Sequence, residues 1–256
     1  MAILRATNLS KTIVNKTRTG FFKSETKEFS ALTDFNLEIL EPAIYGLVGP
    51  NGAGKTTFIK HCLGLTAKTS GELEVLGFDP SKRKQDFLRQ ISLISGNNQS
   101  FESRLPPIEL LKLYGALYCI DPKEAESRAI RLVELFQIED KLNIPIEKLS
   151  LGQKMKFEII ARILPEPKLL FLDEPTLGLD FEAQNMLHTL LLELHKNEKI
   201  TILLTSHYLP DITRLCSKFT VIEHGKNVFT GTVEELNQAK SSQGYLKALT
   251  EELNKN

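Results

Sequence analysis

No run in this chain of 256 residues approaches the ~20 apolar residues that a bilayer-spanning helix needs. Its start, Met1-Ala2-Ile3-Leu4-Arg5, lacks the basic segment and long apolar core of a secretory leader. Cysteine is scarce: Cys62, Cys119 and Cys216 stand far apart, are odd in number and form no C-x-x-C. Neither a disulfide framework nor a zinc site is indicated, and a reducing compartment fits. Charge of one sign is also missing. Lys plus Arg number 32 and Asp plus Glu number 32, whereas nucleic-acid binders ordinarily carry a basic surplus or stripe. No nucleic-acid partner is expected, and any membrane role should pass through another protein. The length is ample for one large domain or two small ones.

What is present centres on Gly49-Pro50-Asn51-Gly52-Ala53-Gly54-Lys55-Thr56-Thr57. An apolar run, Ile44 to Val48, precedes it and Phe58-Ile59-Lys60-His61-Cys62-Leu63 follows, the strand-turn-helix context of a phosphate-binding loop. The glycines let the backbone wrap closely and turn successive N–H groups inward at a helix start, where the dipole adds positive charge. Lys55 supplies a cation for the β- and γ-phosphates and Thr56 a hydroxyl for Mg²⁺.

Before this loop, Ile3 to Leu9 and Phe35 to Leu40 read as strands, the second with Asn36, Glu38 and Glu41 interleaved among apolar residues at period two. The stretch from Val14 to Phe29 reads as a long hairpin with a basic face and Phe21-Phe22 near its tip, either a contact surface or a solvated loop with its aromatics tucked back. After the loop come a helix to Gly64, a hairpin-like Gly71-Glu72-Leu73-Glu74-Val75-Leu76-Gly77, and a strand at Ile91 to Ser95. Helical periodicity follows from Pro106 to about Asn143. Parallel strands resume at Lys168 to Leu172, Ile200 to Leu204 and Phe219 to Ile222, predicting an α/β, doubly wound sheet covered on both faces. Tyr245, Leu246, Leu249 and Leu253 predict a short amphipathic helix docked on the domain.

A second constellation follows the strand ending at Leu172. Asp173-Glu174-Pro175-Thr176 places carboxylates at the carboxyl end of a parallel strand, where ligands of open sheets sit. Asp173 can hold Mg²⁺, and Glu174 can orient or deprotonate the water that attacks a γ-phosphate. The next strand ends at Thr205-Ser206-His207, where the imidazole can hydrogen-bond the γ-phosphate and that water. His61, His188, His195 and His224 have no such company. Leu149-Ser150-Leu151-Gly152-Gln153 precedes a helix read as Lys154 to Leu164; Ser150-x-x-Gln153 is either a capping box or the rim of a second anion site.

Taken together, the phosphate loop, Leu-Ser-Leu-Gly-Gln, Phe171 to Thr176, Gly178-Leu179-Asp180 and His207 occur in the order found in ATP-binding cassette (ABC) ATPases. Over nearly its whole length the chain resembles the nucleotide-binding subunit of an ABC transporter. The LSLGQ variant with Thr205-Ser206-His207-Tyr208 is most similar to a bacterial branch whose ATPases pair with separate exporter-type permeases. The resemblance implies a P-loop NTPase fold: a mostly parallel RecA-like sheet, an antiparallel β subdomain and a helical subdomain within one ABC ATPase domain. Residues 1–96 and 164–238 would form the core, 97–163 the helical subdomain and 239–256 a short C-terminal helix.

By the same resemblance, two copies face head to tail and sandwich two ATP molecules. Each site would join the phosphate loop, Asp173, Glu174 and His207 of one copy to Ser150, Gly152 and Gln153 of the other, with Asp180 communicating across the interface. A groove of the helical subdomain would receive a multi-span membrane permease, holding the subunit on the cytoplasmic face of the membrane. The family's glutamine after the strand at 91–95, which touches Mg²⁺, is replaced by Asn97, with Gln99 two residues on. The aromatic that stacks on adenine is replaced by Ile13, with Phe29 as substitute candidate, and Leu151 stands where glycine is commoner. The insert before Phe29 is similar to that of polysaccharide-exporting ATPases, whose signature differs. Relatives with LSLGQ often continue into a further C-terminal domain, and none is expected here.

Two other classes compete. A soluble ABC ATPase acting on ribosomes or DNA would be expected to join two cassettes by a charged linker or to interrupt one with a coiled coil. A small-molecule kinase would share the phosphate loop and leave Leu149 to Gln153 and His207 unexplained. Export through an unlinked permease is the expected function, with its cargo unspecified.

Overall fold

Along the first strand Leu4, Ala6 and Leu9 are buried while Arg5 and Thr7 face solvent, and opposite them Phe35, Leu37 and Ile39 alternate with exposed Asn36 and Glu38. That alternation is what makes β1 (Leu4–Arg18) and β2 (Ser24–Ile39) an antiparallel pair with one face on a core. Arg5 and Glu38 meet at 2.7 Å on the solvent face. The computed structural model describes residues 2–18, 24–95, 104–238 and 244–253, so Phe21-Phe22, Asn97 and Gln99 lie outside the described residues. The chain divides into two units, residues 1–87 with 204–256, and residues 88–203.

In the first unit β3 (Ile44–Val48) leads through the glycine-rich loop into α1 (Lys55–Cys62). Phe35 of β2 rests against Phe58 of α1 with ring centroids 4.8 Å apart, both fully buried, which seats α1 on the antiparallel sheet. β4 (Ser70–Val75) pairs antiparallel with β1, giving the order β2-β1-β4. The hairpin expected over Gly71 to Gly77 is therefore one strand followed by a tight turn. Val75 and Phe78 exchange backbone hydrogen bonds of 2.9 Å around Leu76 and Gly77, both at positive φ. Glu72 and Glu74 alternate with apolar residues because they line β1, not because two short arms face each other.

The second unit begins near α2 (Gln85–Leu88) and contains β5 (Ile91–Ser95), α3 (Pro107–Leu117), α4 (Pro122–Leu135), α5 (Leu151–Ile163), β6 (Leu169–Asp173) and α6 (Phe181–Glu198). β5 and β6 are parallel, and β7 (Thr201–Ser206) continues the order β5-β6-β7. The helices bury Leu111, Ala129, Leu132, Phe157 and Ile160. Asp121 caps α4, its carboxylate accepting from the amides of Lys123 and Glu124.

The end of β7 belongs to the first unit, where the sheet continues as β3, β8 (Lys218–Glu223) and β9 (Lys226–Gly231). β3 and β8 are parallel, whereas β9 is an antiparallel edge strand that the sequence reading did not name. α7 (Leu209–Leu215), α8 (Val233–Gln238) and α9 (Gly244–Leu253) complete this unit, with Leu249 of α9 buried as the amphipathic pattern predicted. The fold is thus α/β, with a mostly parallel mixed sheet and a separate antiparallel one. Among the described residues no helix is long and apolar enough to cross a membrane.

Candidate functional site

β3 is buried over its whole length, and the backbone leaves it at Gly49 in contact with β8. A Cβ on Gly49 would stand 2.2 Å from the carbonyl oxygen of Ile222, and one on Gly54 2.4 Å from that of Ala31, where φ is also +114°. Only glycine fits at either place. The loop closes on itself through the Ala53 amide, which donates to the Pro50 carbonyl at 3.1 Å. The carbonyl of Ala53 in turn accepts from the amide of Gly225 at 2.9 Å, so the turn between β8 and β9 holds the loop in place.

α1 begins at Gly54, which has no side chain to cap the first-turn amides, and no acidic residue stands in that turn. These donors, with the helix dipole, are presented to an anion. Lys55 is 5 % exposed and its Nζ donates to the carbonyls of Gly49 at 2.6 Å and Pro50 at 3.2 Å. A buried ammonium beside the N-terminus of a helix is complementary to a polyphosphate. Thr56 is exposed and Thr57 half-buried on the same turn. A threonine hydroxyl and a carboxylate such as Asp173 are the hard oxygen donors that Mg²⁺ takes alongside phosphate oxygens, so the residue types fit a magnesium nucleotide.

Beside the loop lies an open cleft of about 370 Å³ whose lining includes Ile13 and Val14 of β1 and Thr57 and Lys60 of α1. Ile13 and Phe29 are cross-strand partners, 37 % and 55 % exposed, and directly opposed residues share one face of the sheet. Ile13, at the place of the missing aromatic, and Phe29, its substitute candidate, therefore form one apolar surface. His61, one turn past Thr57, is buried; its Nδ1 donates to the Thr57 carbonyl at 2.7 Å and burial pushes its pKa down. It serves the helix.

At the end of β7 the carbonyl of Ser206 accepts from the amide of Gly49 at 3.2 Å. The Ser206 hydroxyl is fully buried, donates to Oδ2 of Asp211 at 2.7 Å and accepts from the Tyr208 amide at 2.9 Å. His207, between them, is exposed. The structure thus brings together within the first unit the loop from Gly49 to Thr57 and the backbone that carries His207.

In the second unit the first four residues of β6 have no exposed surface, and Asp173 is where the strand emerges. Glu174 follows at φ +51°, a left-handed conformation that costs a non-glycine residue of order 1–3 kcal/mol and clusters at functional positions. The turn continues with the amide of Leu177 on the carbonyl of Glu174 and that of Leu179 on Thr176, and Asp180 caps α6 through the amide of Ala183 at 2.8 Å. Ser150 caps α5: its Oγ accepts from the Gln153 amide at 3.3 Å, and Gln153 Oε1 accepts from the Ser150 amide at 3.0 Å. That capping box starts α5 at Leu151, three residues earlier than Lys154, because the cap sits at Ser150 and not after it. Gly152 lies against Met186, where a Cβ would come within 3.0 Å of its Cε.

Two contributors escaped the sequence reading. Gly225 has a local signal, since His224-Gly225 between two strand patterns is a two-residue hairpin turn with both residues at positive φ. Tyr245, whose hydroxyl donates to the His207 carbonyl at 2.9 Å, has none.

Residues 32–177 match the family model described as ABC transporter. The chain is 29 % identical over 222 residues to the ABC transporter ATP-binding protein NatA of Bacillus subtilis, covering 87 % of this chain and 90 % of that protein. It is 34 % identical over 214 residues to the daunorubicin/doxorubicin resistance ATP-binding protein DrrA of Streptomyces peucetius, covering 84 % of this chain and 63 % of that protein, so it spans under two thirds of that relative's length. A solved structure of an ATP-binding subunit of an ABC transporter superposes with a TM-score of 0.71 at 28 % identity, covering 98 % of this chain and 99 % of that one. With its glycine-rich loop leading into a helix and a family match across more than half its length, the chain belongs to the ABC transporter family of ATPases.

Proposed function

We propose that this chain is the ATP-hydrolysing subunit of an exporter whose permease is a separate chain. The observation that carries the reading is the start of α1, where a helix led by Gly54 and the buried Lys55 ammonium meet in one glycine-rich loop. The loop from Gly49 through Pro50, Asn51, Gly52, Ala53 and Gly54 to Thr57 binds the phosphates, and the face carrying Ile13 and Phe29 takes the base. Magnesium, held by Thr56 and Asp173 with Asn97 or Gln99, would neutralise charge on the β- and γ-phosphates. Glu174 orients the attacking water and accepts its proton, and His207 hydrogen-bonds the γ-phosphate. Apart from that proton transfer, both roles are positional and electrostatic, which is chiefly what phosphoryl transfer demands of a protein.

Ser150, Gly152 and Gln153 are assigned to the nucleotide held by a second copy, so that ATP closes a homodimer and hydrolysis opens it. The anion would meet a helix start already organised by the Ser150–Gln153 box, and the Ser150 hydroxyl proton can be given to it while Oγ stays a cap. Residues 97–163 form the helical subdomain that a cytoplasmic loop of the permease contacts, which places the subunit at the inner face of the membrane. Export, rather than action on ribosomes or DNA, is favoured by the relatives, which include ATP-binding proteins of Nod factor export and of daunorubicin resistance. A tagged pull-down from native membranes in mild detergent tests this. A stoichiometric multi-span protein among the captured chains supports it; ribosomal proteins or nucleic acid with no membrane partner reject it.

A further inference from the structure

His207, the switch residue that would sense the γ-phosphate under the proposed function, is held at a single peptide unit. The unit joining His207 to Tyr208 has two polar ends, and both are engaged: the Tyr208 amide donates to Ser206 Oγ at 2.9 Å, and the His207 carbonyl accepts from the Tyr245 hydroxyl at 2.9 Å. The first partner is local and immobilised by its own 2.7 Å bond to buried Asp211. The second comes from α9, 38 residues further along the chain.

Three features deliver Tyr245 to that carbonyl. Its amide donates to the Glu223 carboxylate at the end of β8, at 3.2 and 3.3 Å. Gly244 stands at φ +75° so close to the same carboxylate that a Cβ there would lie 2.8 Å from Oε2. Leu249, four residues on and so on the same face of α9, is 1 % exposed. The phenol is thus placed by contacts at the start and the middle of the helix, independently of the loop it holds.

A peptide unit bonded at both ends cannot rotate about its flanking torsions without breaking one of the bonds, and the backbone at His207 limits which way its imidazole can point. We infer that Tyr245 is a positioning residue for His207, so that the docking of α9 sets how well the switch histidine engages the reaction. The inference rests on the assignment of His207 to the γ-phosphate and its attacking water.

Tyr245→Phe deletes one hydroxyl and keeps the ring, the amide bond to Glu223 and the buried Leu249. Steady-state kinetics with Mg-ATP on the full chain should show kcat reduced about three- to tenfold, the span of one neutral hydrogen bond, with KM unchanged. In a His207→Ala background the same substitution should change nothing further, because it acts through a side chain already removed. The imidazole resonance of His207 should also shift in Tyr245→Phe, a readout that loss of packing elsewhere would not move. A wild-type kcat and an unshifted resonance in Tyr245→Phe, beside a defective His207→Ala, overturn the inference alone. An equal loss on top of His207→Ala overturns it as well. His207→Ala turning over ATP like the wild type removes the switch assignment beneath it.

Discussion

The amide of Gly49 donates to the carbonyl of Ser206 across 3.2 Å, joining the first residue of the glycine loop to the residue before His207. This bond ties the loop to the strand that carries His207. On the far side of Ser206, the same peptide segment is tied to Asp211 and, through His207, to Tyr245. Hydrogen bonds alone thus connect the backbone at His207 to the glycine-rich loop.

Lys55→Ala is expected to weaken ATP binding about 10- to 100-fold, the loss of a charge-assisted contact. Removing Nζ also takes a donor from the buried Gly49 carbonyl and the part-buried Pro50 carbonyl, so the fold is checked beside the affinity. Isothermal titration calorimetry beside circular dichroism decides; ATP affinity equal to wild type contradicts the assignment.

Glu174→Gln should leave ATP affinity within about threefold of wild type while reducing hydrolysis by roughly 10² to 10⁴, the range of a general base. Size-exclusion chromatography with ATP should then show a long-lived dimer. The left-handed backbone at this position gives a control, because Glu174→Gly relieves the strain at φ +51° and should be at least as thermostable while equally inactive. Rapid turnover by either variant would remove Glu174 from its role.

Phe29→Ala should lower affinity for ATP by about 1–3 kcal/mol if the exposed ring next to Ile13 stacks on the base, and leave binding of inorganic triphosphate unaffected. Ile13→Tyr should tighten ATP binding by restoring an aromatic on the face of the cleft. Equal losses for ATP and triphosphate in Phe29→Ala would place the base elsewhere.

Glu158 of α5 offers a pH test away from the chemistry. Burial raises its pKa from 4.5, only partly opposed by Arg162, whose guanidinium lies 5.4 Å from the Tyr114 ring centre. The folded state therefore holds the proton more tightly than the unfolded chain. Between the unfolded value near 4.5 and the raised folded value, the native state binds more protons and stability falls as pH rises. Glu158→Gln should raise Tm at neutral pH, with the gain vanishing as pH falls toward 4.5. A variant less stable than wild type at neutral pH would show that attraction to Arg162 outweighs burial.

The glycine loop, the acidic turn after β6 and the order of motifs along the chain were legible without coordinates, because each is a local pattern with a local cause. Glycine spacing dictates a close backbone wrap, and an abrupt Asp173-Glu174 after four apolar residues marks a strand end. The start of α5 was legible as a capping box but misplaced by three residues, since Ser150-x-x-Gln153 names a cap without stating that the helix begins immediately after it. The antiparallel edge strand β9 was missed because Lys226 to Gly231 alternates only weakly in burial and gains its place by pairing with β8.

The glycine-rich loop, the alternating strand and helix plan and the family's motif order could be read from residue spacing alone, because each rests on a pattern within a few residues. That Ile13 and Phe29 are one surface, that Gly225 supports the loop at Ala53, and that Tyr245 reaches the carbonyl of His207 emerged from the folded chain. Those relationships join residues 16 to 172 positions apart in hydrogen-bonded or paired geometry, and pairing across such distances is set by how sheets and helices stack, not by any pattern that neighbouring residues can carry.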